Sequence, residues 1–145
     1  MKNLERIKSI RGFTLIEILV VVVIIGLLAS LVAPKLFSKL SSSKQKAAKA
    51  QIHMIETALD AFRLDVGRYP TESEGLEVLW ENKNNINGWD GPYLPKPVKK
   101  DPWGHPYVYK VPGDNGKPYE LKSLGADGKE GGTGENKDIS VWDIE

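Results

Sequence analysis

The chain has 145 residues and a formal net charge of +1, a length that suits a single small domain with one additional segment. It has no cysteine, which excludes disulfides, thiolate catalysis and cysteine zinc sites, and its two histidines, His53 and His105, are too far apart to indicate a catalytic or zinc centre. The 20 basic residues are dispersed among 19 acidic ones, without the basic stripe that nucleic-acid binding requires, so no nucleic-acid partner is expected.

The first predicted element is an apolar segment from Phe13 to Ala33. All of its 21 residues are apolar except Thr14, Glu17, Gly26 and Ser30. As an α-helix it spans about 31 Å, which is enough to cross the hydrocarbon core of a membrane. The leader before it is basic, with Lys2, Arg6, Lys8 and Arg11 against one acid. Because basic flanks stay in the cytoplasm, we predict a single-pass membrane anchor whose C-terminal domain lies on the opposite side of the membrane.

The residues Gly12, Phe13 and Glu17 resemble the processing signal of type IV pilins and type II secretion pseudopilins. An ordinary secretory signal differs, because its cleavage site follows the apolar core instead of preceding it. The resemblance implies that prepilin peptidase cuts between Gly12 and Phe13 and that the new amino terminus of Phe13 is methylated. Residues 1–12 are then a cleaved leader, and residues 13–34 form the transmembrane and filament-core helix.

Glu17 requires a partner, because an ionisable side chain inside a membrane segment costs about 2.5 to 3.5 kcal/mol on insertion scales. Three interpretations are open. Glu17 snorkels to the membrane interface, pairs with the Phe13 amino group of a neighbouring subunit, or pairs with the amino group of its own chain. The resemblance favours the neighbouring subunit, which makes Glu17 an assembly residue that sets the register of the filament.

Gly26 and Pro34 mark the least stable stretch of the predicted helix. Pro34 removes a backbone hydrogen bond, and glycine has a low helix propensity. A simple kink is one interpretation. The resemblance to pilins favours the other, in which the helix breaks between these residues during filament assembly.

Beyond Pro34 the chain becomes amphipathic. Apolar residues recur at spacings of three and four at Ala48, Ile52, Ile55, Leu59, Phe62 and Val66. This period predicts one long helix from Phe13 to about Val66, whose second half packs on a domain. Gly67 and Pro70 supply its stop signal.

The segment after the helix alternates between short elements and loops. Thr71 and Glu74 have the spacing of a capping box, which predicts a short helix between residues 69 and 82. Residues 83–106 contain five prolines and are predicted to form an ordered loop. Its aromatic residues either anchor it to the core or form an exposed partner surface; these are Trp89, Tyr93 and Trp103.

Two strand signals follow, at residues 107–111 and 119–124, and the turn-rich residues between them predict an antiparallel hairpin. A further short strand includes Ile139, Val141 and Trp142. The predicted fold class is therefore α+β, with a long N-terminal helix packed on a small antiparallel β-sheet. The resemblance implies the pilin-like version of this architecture.

Residues 124–139 form a glycine-rich loop, with five glycines among 16 residues, that is too flexible to hold one shape unaided. Its oxygen donors are Asp127, Glu130, Glu135, Asn136 and Asp138. Calcium prefers six to eight such oxygens, including backbone carbonyls. The spacing is not that of an EF-hand, so composition alone leaves a solvated acidic turn as the alternative.

The glycine-rich loop is similar to the calcium loop of major pseudopilins in type II secretion systems, through Gly125-Ala126-Asp127-Gly128, Gly131-Gly132 and Asp138-Ile139. Asp101-Pro102-Trp103-Gly104 matches the same subfamily. The resemblance implies a structural Ca²⁺ whose first ligands are the Leu124 carbonyl and the Asp127 carboxylate. The remaining predicted ligands are Asp138, Glu135 or Asn136, and the Thr133 carbonyl.

The resemblance implies a structural subunit that forms a homopolymer, the periplasmic pseudopilus, which supports export of folded proteins across the outer membrane. Its expected partners are prepilin peptidase, minor pseudopilins and an inner-membrane assembly platform. Residues 35–145 are the predicted periplasmic domain. A cytoplasmic ATPase must supply the work, because the chain has no Walker-type loop.

Two other function classes compete with this interpretation. A type IV pilin for adhesion, motility or DNA uptake shares the N-terminal signal, but the missing cysteines and the acidic glycine-rich loop count against it. A membrane-tethered enzyme using Asp127 and Asp138 lacks an accompanying nucleophile or base, so no enzymatic activity is predicted.

Overall fold

The computed structural model describes residues 12–144. The helix α1 spans Leu15–Val66, and the strands are β1 (Val108–Lys110), β2 (Glu120–Ser123) and β3 (Ile139–Ser140). One-turn 3-10 helices lie at Leu76–Leu79, Asp114–Gly116, Gly134–Asn136 and Val141–Asp143. The predicted leader lies outside the described residues except for Gly12. The α+β fold is confirmed.

The described residues divide into two compact units, the first ending at Lys39 and the second beginning at Leu40, and α1 contributes to both. In the first unit, α1 contains an 18-residue window with a mean hydropathy of 3.1, none of which is buried within the protein. By length and composition this part of α1 is able to span a membrane. The boundary predicted after residue 34 stays a prediction.

Helix α1 ends at Val66, as the apolar period predicts, and begins two residues after the predicted start at Phe13. It runs without interruption through Gly26 and Pro34. The break predicted between these two residues concerns the assembled filament, and it stays a prediction. The backbone N–H of Gly67 donates to the Arg63 carbonyl at 2.7 Å and closes the last turn.

The core of the second unit forms where the amphipathic stripe of α1 meets the short elements that follow it. The stripe residues that are buried are Ala48, Ile52, Ile55, Leu59 and Phe62. They share one apolar cluster with buried residues from the later elements, which include Val78, Leu79, Tyr119, Leu121, Ile139 and Val141. The periodic pattern therefore identified the face of α1 that the domain covers.

The sheet is a three-stranded antiparallel meander in the order β1-β2-β3. Tyr109 lies opposite Leu121 in the first pair, and Ser123 lies opposite Ile139 in the second. Strands β1 and β2 are each shorter than predicted. Pro106, Pro112 and Pro118 lie just outside them, and proline has no N–H to extend the hydrogen-bonded ladder.

The proline-rich loop is anchored by its aromatic side chains. Trp89 donates from Nε1 to the Val78 carbonyl at 2.6 Å, and the Tyr93 hydroxyl donates to Asp65 Oδ2 at 2.8 Å. The Trp89 and Tyr93 rings meet edge to face, and Trp103 packs partly buried against the core. These contacts support the anchoring interpretation for all three residues.

Thr71 and Glu74 form the reciprocal hydrogen bonds of a capping box. The Thr71 N–H donates to Glu74 Oε1 at 2.8 Å, and the Glu74 N–H donates to Thr71 Oγ1 at 3.1 Å. The box closes an isolated turn, however, and the helix that follows is a single 3-10 turn preceded by Gly75. The short helix predicted from this spacing was wrong in type and length, because the chain changes direction at Gly75 before the helix begins.

Glu74 makes the stability of the second unit depend on pH. The hydrogen bond from Arg68 is the main cause that lowers the Glu74 pKa from its ordinary 4.5 to about 2, and bonds from Thr71 act in the same direction. A lowered folded-state pKa means that this stabilisation is complete above about pH 4.5 and is lost as the pH falls towards 2. Allowing for solvent screening around the half-exposed Arg68, we expect wild type to lose about 1 kcal/mol more than Glu74→Gln between about pH 6 and pH 2.5.

Urea denaturation of the full chain in detergent micelles at both pH values measures this difference. Arg68→Gln is the matched control, because it removes the main cause of the lowered pKa while leaving the Glu74 carboxyl in place. It is expected to lose most of the extra pH dependence. Equal pH dependence in wild type and Glu74→Gln would contradict the prediction.

Candidate functional site

The first candidate site is the N-terminal end of α1. Gly12 and Phe13 precede the helix, and the Phe13 side chain is 81% exposed. Thr14 caps the helix, because its Oγ1 accepts a hydrogen bond from the Glu17 N–H at 3.2 Å. Glu17 therefore lies in the first turn of α1, where the helix dipole favours a negative charge.

The Glu17 carboxylate is exposed and takes part in no ion pair within residues 12–144. Large apolar side chains surround it along the chain, and Leu15, Ile16 and Ile18 are all more than half exposed. Once these side chains enter lipid or a helix bundle, the acid needs a cation to remain charged. Cleavage before Phe13 and its pairing with Glu17 stay predictions.

The second candidate site is the glycine-rich loop, whose two sides are held together by backbone contacts. The Ala126 N–H donates to the Glu135 carbonyl at 2.9 Å. Gly125 lies so close to the other side that a Cβ on it would be 2.9 Å from the Asn136 carbonyl oxygen. Gln45 on α1 donates from Nε2 to the Gly134 carbonyl at 3.0 Å. The loop is thus closed on itself and tied to the helix.

Within the glycine-rich loop, the Asp138 carboxylate is the group whose surroundings most favour a bound cation. Its Oδ2 accepts a hydrogen bond from the Gly131 N–H at 3.0 Å and lies 3.9 Å from Lys122 Nζ. Its Oδ1 is buried and, among the described residues 12–144, has no hydrogen-bond partner. A buried carboxylate oxygen without a partner is rare, because its desolvation is uncompensated. Calcium supplies such compensation, since it binds carboxylate oxygens directly.

The other predicted ligands are more exposed than Asp138. Asp127 accepts a hydrogen bond at Oδ1 from the Lys129 N–H at 3.1 Å, while Thr133, Glu135 and Asn136 lie on the exposed side of the loop. Within residues 12–144, no three acidic or histidine side chains converge as a metal cluster. The donor set therefore fits a cation held by backbone carbonyls together with one or two carboxylates, which calcium accepts.

Sequence reasoning missed a buried polar group beside the glycine-rich loop. Asp101 is only 4% exposed, and its carboxylate contacts Ser123 at the end of β2 and the backbone of His105. In the sequence analysis, Asp101-Pro102-Trp103-Gly104 was used only as evidence of the family resemblance. An aspartate placed before a proline and a glycine is a known signal for a side-chain-closed turn, and that signal was available in the sequence.

Comparison with protein families shows the family to which the chain belongs. The family described as "Type II secretion system (T2SS), protein G" matches residues 35–142. This chain belongs to that protein G family. The "Prokaryotic N-terminal methylation motif" matches residues 7–33, which include the predicted processing and assembly residues.

Relatives of this protein G family member cover nearly the whole chain. A type II secretion system core protein G from Pseudomonas aeruginosa is 47% identical over 135 residues, which cover 91% of this chain and 94% of the relative. One from Vibrio cholerae is 43% identical and covers 98% of both chains. The crystal structure of the major pseudopilin from the type 2 secretion system of enterohaemorrhagic Escherichia coli matches with a TM-score of 0.59 at 29% identity, covering 75% of this chain and 95% of that one. These matches favour the pseudopilin interpretation over the type IV pilin.

Proposed function

We propose that this protein G family member is the major structural subunit of a periplasmic pseudopilus. Residues 13–34 anchor the subunit in the inner membrane before assembly, and its C-terminal domain lies in the periplasm. Copies of the chain then leave the membrane and form a helical homopolymer that supports export of folded proteins across the outer membrane. In this proposal the chain makes or breaks no covalent bond.

The observation that carries the proposal is the exposed apolar part of α1. None of its most hydrophobic window is buried within the protein, and each large apolar side chain left in water forgoes about 1.5 to 3 kcal/mol of burial. Such a helix must be covered by lipid or by apolar helices of other copies. A subunit whose apolar helix moves from lipid into contact with the helices of other copies is one that polymerises out of a membrane.

In the proposal, Glu17 sets the register between neighbouring subunits as their helices move from the membrane into the filament. Its carboxylate is free of ion pairs within residues 12–144 and lies one turn from Phe13, whose amino group is created by cleavage. Pairing of these groups between neighbouring subunits leaves no buried charge uncompensated. Local loss of helicity between Gly26 and Pro34 would allow neighbouring helices to adjust their packing in the filament.

The proposed partners follow from what the chain itself lacks. Prepilin peptidase supplies the cleavage and methylation, and minor pseudopilins and an inner-membrane platform start and guide the polymer. A cytoplasmic ATPase supplies the work, since the sequence contains no Walker-type loop.

We further propose that the glycine-rich loop holds a structural Ca²⁺. The Leu124 and Thr133 carbonyls, the Asp127 and Asp138 carboxylates, and Glu135 or Asn136 are the proposed ligands. The buried, unpartnered Oδ1 of Asp138 supports this assignment. Calcium, when bound, supplies positive charge that offsets repulsion among the acids and cross-links a loop with few apolar contacts of its own.

Assembly in cells tests the structural proposal. The full chain is produced together with a prepilin peptidase, an assembly platform and its ATPase, and filaments are sheared from opened cells and examined by immunoelectron microscopy. We expect processed chain in the sheared fraction when all components are present, and unprocessed chain in the membrane fraction when the peptidase is omitted. Processed chain that stays entirely in membranes with all components present would overturn the proposal.

A further inference from the structure

A turn closed by a buried aspartate contacts the start of the glycine-rich loop, about 20 residues further along the chain. We define the Asp101 turn as residues 101–105. Asp101 Oδ1 accepts hydrogen bonds from the Trp103 N–H at 3.0 Å and the His105 N–H at 2.8 Å, and its backbone N–H donates to the His105 carbonyl at 2.7 Å. The turn is therefore closed on both sides by a single aspartate.

The charge on Asp101 has an unusual environment. The residue is 4% exposed, and within residues 12–144 it takes part in no ion pair. Burial of a carboxylate without a cation is unfavourable unless hydrogen bonds compensate for the lost water. The hydrogen bonds to this carboxylate are charge-assisted and therefore stronger than neutral ones. The groups that donate them are held firmly in place.

One of those donors begins the glycine-rich loop. Ser123 is fully buried, and its hydroxyl donates to Asp101 Oδ2 at 2.7 Å. The same Oγ accepts a hydrogen bond from the Gly125 N–H at 3.2 Å. The bridge therefore spans Leu124, whose carbonyl is the first proposed calcium ligand, and it orients the peptide units on both sides of that residue.

His105 holds the next residues of the glycine-rich loop. Its imidazole Nε2 lies 3.3 Å from the Ala126 carbonyl oxygen. The ring also lies against Gly128, where an added Cβ would come within 2.9 Å of Cε1. Because Asp101 orients the His105 backbone, one carboxylate controls both contacts with the segment that contains Asp127.

We infer that Asp101 is the positioning residue of the calcium loop, acting on the Leu124 carbonyl through Ser123 and on the segment around Asp127 through His105. This inference rests on the calcium binding that is part of the proposed function. Asp101 itself is no ligand in this assignment. It holds the first half of the loop in one arrangement, and partners that orient metal ligands in this way typically change metal affinity 10- to 100-fold when they are replaced.

Asp101→Asn is the sharpest test, because it keeps the shape of the side chain. The amide oxygen can still accept from the two backbone N–H groups, but the amide nitrogen replaces Oδ2 opposite the Ser123 hydroxyl. Two donors then face each other, so the serine must rotate its hydrogen away and leave it without an acceptor. Ser123→Ala is the second variant, because it breaks the same bridge while Asp101 stays in place.

The experiment is calcium titration calorimetry on the full chain in detergent micelles, at a temperature where circular dichroism reports each variant as folded. Both variants are expected to bind Ca²⁺ about 10- to 100-fold more weakly than wild type. Thr71→Ala is the matched control, since the Thr71 hydroxyl closes a hydrogen-bonded turn of similar size through Ser73 and Glu74, outside the glycine-rich loop. Its calcium affinity is expected to equal that of wild type.

A second readout requires no metal. In calcium-free buffer, amide hydrogen exchange at Gly125 is expected to be about tenfold faster in Asp101→Asn than in wild type, because the bridge that holds this N–H is weakened. Unchanged calcium affinity in both bridge variants would overturn the inference and leave the proposed function intact. Failure of wild type itself to bind calcium would instead overturn both the calcium site and the inference.

Discussion

Replacing Glu17 with leucine is expected to abolish filament assembly while leaving the chain inserted in the membrane and processed. In the assembled filament, the Phe13 amino group of a neighbouring subunit would be buried without its acid. Removal of one partner from a buried ion pair destabilises by about 3 to 5 kcal/mol, which corresponds to a more than hundredfold loss in an assembly equilibrium. The measurement is the amount of processed chain in the sheared fraction, relative to wild type.

Two controls separate charge pairing from other effects at this position. Glu17→Asp keeps the acid on a shorter side chain and is expected to retain partial assembly. Thr14→Ala removes the hydroxyl that caps the Glu17 N–H without touching the carboxylate, so it is expected to assemble nearly normally. Glu17→Leu filaments at wild-type levels would eliminate the register hypothesis and support an acid that merely snorkels to the interface.

Removing calcium is expected to lower the stability of the second unit by about 2.7 to 4.1 kcal/mol, for wild type held at free Ca²⁺ concentrations of about 100 to 1,000 times the dissociation constant. For a unit of roughly 100 residues this corresponds to a fall in melting temperature of about 10 to 20 °C. Thermal unfolding of the full chain in micelles, with and without chelator, measures the effect through tryptophan fluorescence.

Asp127→Ala tests whether that effect arises in the glycine-rich loop. Asp127 is exposed, and the contact of its side chain is a local hydrogen bond from the Lys129 N–H. Its removal is therefore expected to change the calcium-free protein little and to abolish most of the stabilisation by calcium. Glu130→Ala is the matched control, because Glu130 is an exposed acid of the same loop that is not a proposed ligand. A melting temperature that chelator leaves unchanged in wild type would contradict the calcium assignment.

The helical part of the fold was predictable because its signal is local. The apolar run after Phe13 is recognised by its length, and the stripe that ends at Val66 repeats with the period of an α-helix. Both signals can be read from the sequence without knowledge of distant contacts. The first two strands were placed correctly but predicted too long, and the predicted third strand was right only at Ile139, because Val141 and Trp142 lie in a 3-10 turn. Their ends depend on which backbone groups find partners across the sheet, and Pro112 and Pro118 limit that pairing.

The candidate sites were predictable to different degrees. Gly12, Phe13 and Glu17 lie within six residues of one another, so the sequence alone predicts the N-terminal site, and the methylation motif matches the segment that contains them. The glycine-rich loop was also located, but its composition could not distinguish the half-buried Asp138, which has one buried carboxylate oxygen, from the exposed Asp127. That difference arises because Asp138 packs against the Gly131 backbone and Lys122 of β2, contacts that no local pattern encodes.

By itself, the sequence determined the apolar segment with its single acid, the amphipathic stripe and the position of the glycine-rich loop, because hydrophobic period and glycine content are properties of neighbouring residues. Only the tertiary structure decided that Asp101 is buried against Ser123 and that one oxygen of Asp138 lacks a partner. Burial and hydrogen-bond satisfaction depend on segments that are distant in the chain, and they exist only once those segments pack together.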